Sequence, residues 1–332
     1  MIAVAGAVLV ATAATATTPT DPKLREKVDQ LLEVQALDQR VADIGWRLAT
    51  SNLELCPTHT GATGLGLHGA SQYAPAYRSA AVTAFALTEA GPGVQTVARG
   101  SPAWSAGIRP GDKLVSVQGA KLARGPESSK DRSKASYAET DAAMARIEAL
   151  APDRPAAVRI QRNAVTIDLT LTPELACASR FEMATGDALN ANSNGNVVQV
   201  FGRLVLTLTR DDDLALVMAH ELAHNVLGHN QAISKQRLPT GAGAAFSRKG
   251  RILRDFEREA DRYGIFMAAR AGYAYAQAPE FWRDLSASAG LGAWIASSHP
   301  TPGNRQASAQ AVVAEIAALK SQGKPLVPAK AD

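Results

Sequence analysis

Apolar residues recur at three- and four-residue steps through Leu24, Val28, Leu31, Val34, Leu37, Val41, Ile44 and Leu48. That spacing places them on one helix face and predicts a single long amphipathic helix that begins after Thr18-Pro19-Thr20-Asp21-Pro22 and ends before Cys56-Pro57. The stretch THTGATGLGLHGASQY (58–73) is rich in turn residues and has no period. From Val82 the texture changes to short runs, VTAFAL, GVQTVA, KLVSVQG, AAVRIQ and VTIDLTL, which predict strands. Pro110-Gly111-Asp112 predicts a turn among them, and TDAAMARIEAL (140–150) a helix capped by Thr140 or Asp141. Past Cys177 the pattern changes again. NVVQVFGRLVLTL (196–208) alternates as a strand or hairpin. TRDDDLALVMAHELAHNVLGH predicts a helix, with Asp211–Asp213 supplying negative charge at its start and Gly228 ending it. A polar, glycine-rich stretch spans 230–250. A second helix is predicted over Lys249–Ala271, with Ile252, Phe256, Tyr263 and Met267 on one face. The tail KSQGKPLVPAKAD reads as disordered.

The chain has 332 residues, enough for two units rather than one small core, and 46% hydrophobic with 20% charged residues is an ordinary globular balance. The net charge is only +4, and no Lys/Arg stripe with interleaved aromatics is present. Nucleic-acid binding is therefore not expected. The run PESSKDRSK mixes both signs and reads as a solvated loop. Residues 1–16 are apolar or small, carry no Lys or Arg and are short for a membrane span. With Ala14-Thr15-Ala16 as a cleavage pattern they read as a signal peptide, the rivals being an uncleaved anchor or an Ala-rich tail. No later segment is apolar enough to cross a bilayer. The expected location is exported, in the periplasm or cell envelope. The cysteines are two, Cys56 and Cys177, and in an exported protein that even count points to a disulfide, the alternative being two separate buried thiols.

Three of the six histidines fall within VMAHELAHNVLGH (217–229). His220-Glu221-Leu222-Ala223-His224 is an H-E-x-x-H pattern, whose imidazoles share a helix face and can reach one metal ion. Glu221 lies beside them, placed to take a proton from water. Two neutral imidazoles and a carboxylate, with a fourth position open, suit zinc. The alternative is a helix bearing two surface histidines. The apolar residues around the motif weigh against it, because buried imidazoles need partners. The second helix supplies Glu257, Glu259 and Asp261. Glu257 and Asp261 are four apart and share a face, so one can bind metal while the other holds a ligating histidine. Glu259 points elsewhere. The bland alternative is an acidic, solvated helix face.

Two resemblances extend this reading. The segment GSPAWSAGIRPGDKLVSVQG (100–119) resembles the bacterial type of PDZ domain, over roughly residues 80–173. That likeness implies an extended or C-terminal peptide taken as an added strand beside a helix, or else a PDZ fold serving only as a spacer. Its peptide-end loop is not assigned; GLGL at Gly64–Leu67 looks right but lies far upstream. HELAHNVLGH followed by EREAD resembles the zinc metallopeptidase family that contains HtpX and the CaaX prenyl protease, a gluzincin family, loosely over 22–54 and well over 178–310. The resemblance implies an α+β fold: a mainly helical peptidase domain with a small edge sheet, interrupted by the β-rich PDZ unit. It implies one Zn2+ per chain, held by His220, His224 and Glu257, with Asp261 behind a ligand. It makes Val197, Val198, Gln199, Val200 and Phe201 the edge strand that binds substrate main chain, or a purely structural strand. It places His299 at the cleft, stabilising the tetrahedral intermediate or regulating access, or else as a surface loop histidine. Arg305 is a candidate partner for a nearby carboxylate. His229 receives a structural or capping role, and His59 and His68 none.

The implied layout is a leader over 1–16, an N-terminal helix of the peptidase over 22–55, a Gly-rich connector over 56–79, the PDZ unit over 80–173, the peptidase over 174–318 and a flexible tail over 319–332. Cys56 and Cys177 would staple the base of the insertion. Many relatives carry membrane spans, and here none is expected beyond a possible N-terminal anchor, which favours soluble or misfolded envelope proteins as substrates. The expected function is zinc-dependent endopeptidase activity, with 230–250 as a candidate lid. The alternative is a non-catalytic or self-inhibited peptide-binding, chaperone-like protein.

Overall fold

A computed structural model describes residues 20–87, 92–122, 135–236, 248–287 and 302–329. Helix α1 (Pro22–Ser51) begins where the periodicity places it: the Asp21 side chain accepts from the Lys23 N–H at 3.0 Å, and Pro22 fits the first turn, where no N–H is needed. Then come β1 (His59–Ala62), β2 (Leu65–His68), α2 (Pro75–Phe85), β3 (Gly93–Val97), α3 (Pro102–Ser105), β4 (Lys113–Val117), β5 (Ala120–Lys121), α4 (Ala138–Glu148), β6 (Ala156–Arg162), β7 (Val165–Leu171) and β8 (Glu174–Cys177). Strands β9 (Arg180–Ala184), β10 (Ala191–Ser193) and β11 (Val197–Phe201) follow. The helices α5 (Gly202–Thr207), α6 (Asp211–Val226), α7 (His229–Gln236), α8 (Arg248–Arg270), α9 (Ala278–Ala287) and α10 (Pro302–Ser321) complete the described chain.

The architecture is mixed helix and sheet. A six-stranded antiparallel sheet has the order β2-β3-β4-β6-β7, with β5 paired to β4. Its core gathers Leu65, Val94, Ile108, Leu114, Ile147 and Ile160. The Pro110-Gly111-Asp112 turn is locked by the buried Asp112 carboxylate, which accepts from the Arg109 N–H and from both Nε and Nη2 of Arg162. A second core joins Val41, Ile44 and Leu48 of α1 to α5, α6, α8, α9 and α10. Helix α1 also enters a third, smaller core. Its N-terminal half buries Val28 and Leu31 with Ala80, Ala81 and Phe85 of α2.

Polar groups also fasten α1 to β3. Gln39 Nε2 donates to the Val97 carbonyl at 2.8 Å and its Oε1 accepts from the Val97 N–H at 3.1 Å. Gln35 donates to the Gln95 carbonyl, and the Arg99 N–H donates to Asp43. Gln95 Nε2 donates to Asp38 at 2.6 Å; burial still raises the Asp38 carboxyl to about 7, only partly offset by that bond. Cys56 and Cys177 form a disulfide with Cα atoms 5.5 Å apart, beside the short β1–β8 ladder in which His59 faces Cys177.

Several elements differ from the sequence reading. VTAFAL is no strand; it lies at the end of α2, where Pro75 starts a helix and the run of alanines favours it. Residues 56–79 are not a bare connector but carry β1 and β2, whose partners β8 and β3 are distant in sequence. Residues 202–207 are helical because Leu204 and Val205 are adjacent and both fully buried, which a strand with one buried face does not allow. Helix α4 starts at Ala138, two residues early and without a side-chain cap. The tail is not loose through 329: Lys320 and Ser321 end α10, Arg270 donates to the Leu326 carbonyl, and Pro328 is buried. The leader over 1–16, the PESSKDRSK run (126–134), residues 237–247 of the candidate lid, and His299 lie outside the described residues. Among the described residues no helix is long and apolar enough to cross a membrane.

Candidate metal centre

Helix α6 is buried from Leu214 to His224. Its first turn holds Asp211–Asp213, though no side chain caps it; Asp211 pairs with Arg40 of α1, and the Ala274 N–H donates to Asp212. Helix α8 crosses α6 at Gly264. A Cβ there would sit 2.9 Å from the His220 backbone nitrogen, so only glycine permits this approach. The crossing brings the acidic face of α8 onto the histidines of α6.

His220, His224 and Glu257 come together, one ligand atom from each lying within 4.8 Å of the others. The Nε2 atoms of the two rings are 3.2 Å apart. Glu257 Oε2 is 3.3 Å from His220 Nε2, and Oε1 is 3.6 Å from His224 Nε2. Glu221 is buried on the same turn, only 5% exposed. The far nitrogen of His220, Nδ1, lies 2.9 Å from Asp261 Oδ1. Asp261 in turn accepts from Nη2 and Nε of Arg305 at 2.5 and 2.8 Å, and the Arg305 guanidinium lies 3.6 Å from the centre of the Trp282 ring.

The electrostatics follow from this nesting. Burial alone would raise the Asp261 carboxyl, but the Arg305 charge and His220 hold it below the usual carboxylate range. Burial pushes His220 down, yet the hydrogen bonds and charges of Asp261 and Glu257 outweigh it and carry the ring to about 10. Two imidazole Nε2 atoms and a carboxylate converging, with His220 Nδ1 held by an acceptor, are the donor set of a zinc site with an open position. The residues fit the metal.

Glu259 stays away from this cluster, as its helix position implies, but it is not idle: its Oε2 is 3.3 Å from His229 Nε2. His229 Nδ1 is 3.0 Å from His224 Nδ1. Helical spacing from His224 would carry His229 off the metal-facing stripe, but α6 ends before reaching it. With φ at +70° Gly228 ends α6, and His229 opens α7 folded back against His224. Burial, then the His224 and His220 charges, lower His229 to about 3. His59 and His68 are remote from the cluster; His59 Nε2 is 2.9 Å from the Leu53 carbonyl, and the buried His68 meets the Tyr73 hydroxyl at 2.7 Å.

The three-stranded sheet has the order β10-β11-β9. Strand Val197–Phe201 is present, but it is not the edge. It pairs antiparallel with β10 and parallel with β9, so both margins of its backbone are engaged and it offers no main chain to a substrate. Among the described residues the other margin of β10, Ala191–Ser193, has no strand partner, and β10 lies beside α6. The β10–β11 turn is tied to the end of α6: the Gly195 N–H donates to Asn225 Oδ1 at 2.6 Å, and Asn225 Nδ2 donates to Ser179 Oγ. The residues of β10, Ala191–Ser193, lie just ahead of the alternating run that points to β11, and three residues are too few to show a period.

The chain matches two family models. Residues 159–249 and 237–313 match the model described as Peptidase family M48, and residues 93–128 match a PDZ domain model. Both agree with the resemblances drawn from the residues. No curated protein matches the chain. Among solved structures it is similar to an HtrA-type protease, AlgW, with a decapeptide, at 21% identity and a TM-score of 0.25, covering 35% of this chain and 30% of that one. A variant of the same protease with the decapeptide matches at the same identity and TM-score, covering 38% and 32%. The chain thus spans about a third of the length of these structures.

Proposed function

We propose that this chain, an M48-type peptidase with a PDZ unit, is a zinc-dependent metalloendopeptidase that cleaves proteins of the cell envelope. The observation that carries this reading is the buried convergence of His220 Nε2, His224 Nε2 and Glu257 with Glu221 on the same turn. A purely structural metal site would have no use for that fourth group. Zinc bound there supplies Lewis-acid polarisation of water and of the scissile carbonyl. His220, His224 and Glu257 would hold it, and Asp261, fixed by Arg305, keeps His220 oriented. Glu221 takes the proton of the attacking water and returns it to the leaving amine. The free margin of β10 aligns the substrate main chain as an added strand.

The PDZ unit supplies a second place for an extended or C-terminal peptide. Strand β2 is terminal in its sheet, so among the described residues one margin of Leu65–His68 has no strand partner, and α4 packs beside it. The Gly64–Leu67 stretch, unassigned from sequence, thus lies where a peptide would add. The Cys56–Cys177 bridge supports an oxidising, extracytoplasmic location.

The test is digestion of an unfolded protein by the full chain. Activity should need about one zinc per chain, vanish on chelation and return with added zinc. Glu221→Gln should retain zinc and lose at least about a hundredfold in rate. A Glu221→Gln protein that keeps its metal and still cleaves as fast as wild type would refute the mechanism.

A further inference from the structure

We propose that His229 is a positioning residue: together with Glu259 it holds His224 in the tautomer whose Nε2 lone pair faces the metal. This rests on the metallopeptidase reading and extends it to the half of the site that the ligand motif leaves unexplained. His220 and His224 both present Nε2 toward Glu257. An imidazole that gives its Nε2 lone pair to a metal carries its proton on Nδ1, and that N–H needs an acceptor when buried. His220 has one in Asp261, 2.9 Å away. No carboxylate meets Nδ1 of His224 among the described contacts. The group there is His229 Nδ1, at 3.0 Å.

Two ring nitrogens at that distance cannot both carry hydrogen. With His224 donating, His229 Nδ1 accepts, and the His229 proton must sit on Nε2. Glu259 Oε2 lies 3.3 Å from that atom and accepts it. The relay His224–His229–Glu259 has a single consistent direction, and it leaves the His224 Nε2 lone pair free for the cation. The same two nitrogens with the proton on His229 would put the His224 proton on Nε2, facing His220 and Glu257, and close the site.

The placement is built rather than incidental. The His229 ring is 2% exposed and stacks on Phe256 with centroids 4.3 Å apart and planes 11° apart. Phe256 precedes Glu257 on α8, and Glu259 lies three residues beyond Phe256. One helix therefore provides the third ligand, the surface against which His229 packs and the acceptor that sets its tautomer. Arg305 and Asp261 serve His220; His229 and Glu259 serve His224.

The experiment compares the full-length wild-type protein with His229→Phe and His229→Asn. Phenylalanine keeps a flat ring against Phe256 and has no acceptor; asparagine offers an oxygen near the place of Nδ1. Zinc affinity is read by competition with a chromophoric chelator, alongside thermal unfolding of the zinc-free proteins. Nitrogen-15 NMR of imidazoles in the loaded proteins reports the tautomers. Expected are a zinc affinity about tenfold to a hundredfold weaker for His229→Phe, recovery to near wild type for His229→Asn, and loss of the slowly exchanging His224 Nδ1–H signal in His229→Phe only. Two results would overturn the proposal: unchanged zinc affinity and an unchanged His224 signal in folded His229→Phe, or equal losses in both variants with folding intact. Should wild type itself take no zinc, the metallopeptidase reading fails first, and the inference with it; if wild type binds zinc and both variants bind it as tightly with the His224 signal unchanged, the reading stands and only the role of His229 falls.

Discussion

At the scale of single residues the site is a set of buried polar groups that are tolerable only in company. Arg305 and Asp261 are 2% and 5% exposed, and each would be a costly buried charge without the other. Their pair is joined by two hydrogen bonds and covered by the Trp282 ring. Removing one member leaves the other uncompensated. Arg305→Ala is expected to cost about 3–5 kcal/mol in urea unfolding at neutral pH, and to weaken zinc binding through the loosened His220. A loss under about 1 kcal/mol, the range of exposed pairs, would show that the pair is open to water. The pairing of His220 with His224, and of Glu257 with Asp261, was legible from spacing, because helical geometry converts a four-residue step into adjacency; that Glu257 rather than Asp261 meets both rings came from the family resemblance, and the fold brings the three together. The contact of His229 with His224 was not legible, because it depends on the left-handed turn at Gly228.

At the scale of elements, the helices carrying strong periodicity matched their spacing: α1 buries Val28, Leu31, Val41, Ile44 and Leu48, all from the apolar stripe. Short apolar runs did not. VTAFAL and RLVLTL carry the same residue types in helices that elsewhere make strands, and the decision came from what each packs against. The two-stranded β1–β8 ladder is marginal by itself, and the Cys56–Cys177 bond fixes its register. With 121 positions between the cysteines, Cys56→Ser should destabilise by roughly 4–5 kcal/mol in the chain-entropy treatment. Urea unfolding with and without a reductant checks this: wild type should fall to the level of the variant when reduced, and the variant should not respond.

At the scale of the whole molecule, α1 couples the two units. Its first half packs on α2 and hydrogen-bonds to β3, and its second half lies in the core that supports α6. The glutamine and aspartate side chains stand in for a strand along the β3 margin, where the ladder to β4 has only the Gly93–Lys113 rung. Gln39→Leu combined with Asp43→Ala should therefore raise amide exchange at Val97 and Arg99 about tenfold or more, since a net hydrogen bond is worth about 1 kcal/mol. Exchange in α6 should stay as in wild type. Equal acceleration throughout would mean global destabilisation instead of a loosened joint.

The sequence by itself determined the chemistry and the long helices. Ligand types, their four-residue spacing and the stripe along α1 are local properties, set by the 3.6-residue turn and by what each side chain can donate. Tertiary structure alone decided which margin is open and which group sits behind each ligand. That Val197–Phe201 lies between β9 and β10, that β2 joins the sheet from ahead of its expected boundary, and that His229 returns to His224 all follow from contacts between distant segments or from one turn's handedness. Local periodicity is blind to both, because backbone pairing and the closing of a buried hydrogen bond are settled only when the partners meet.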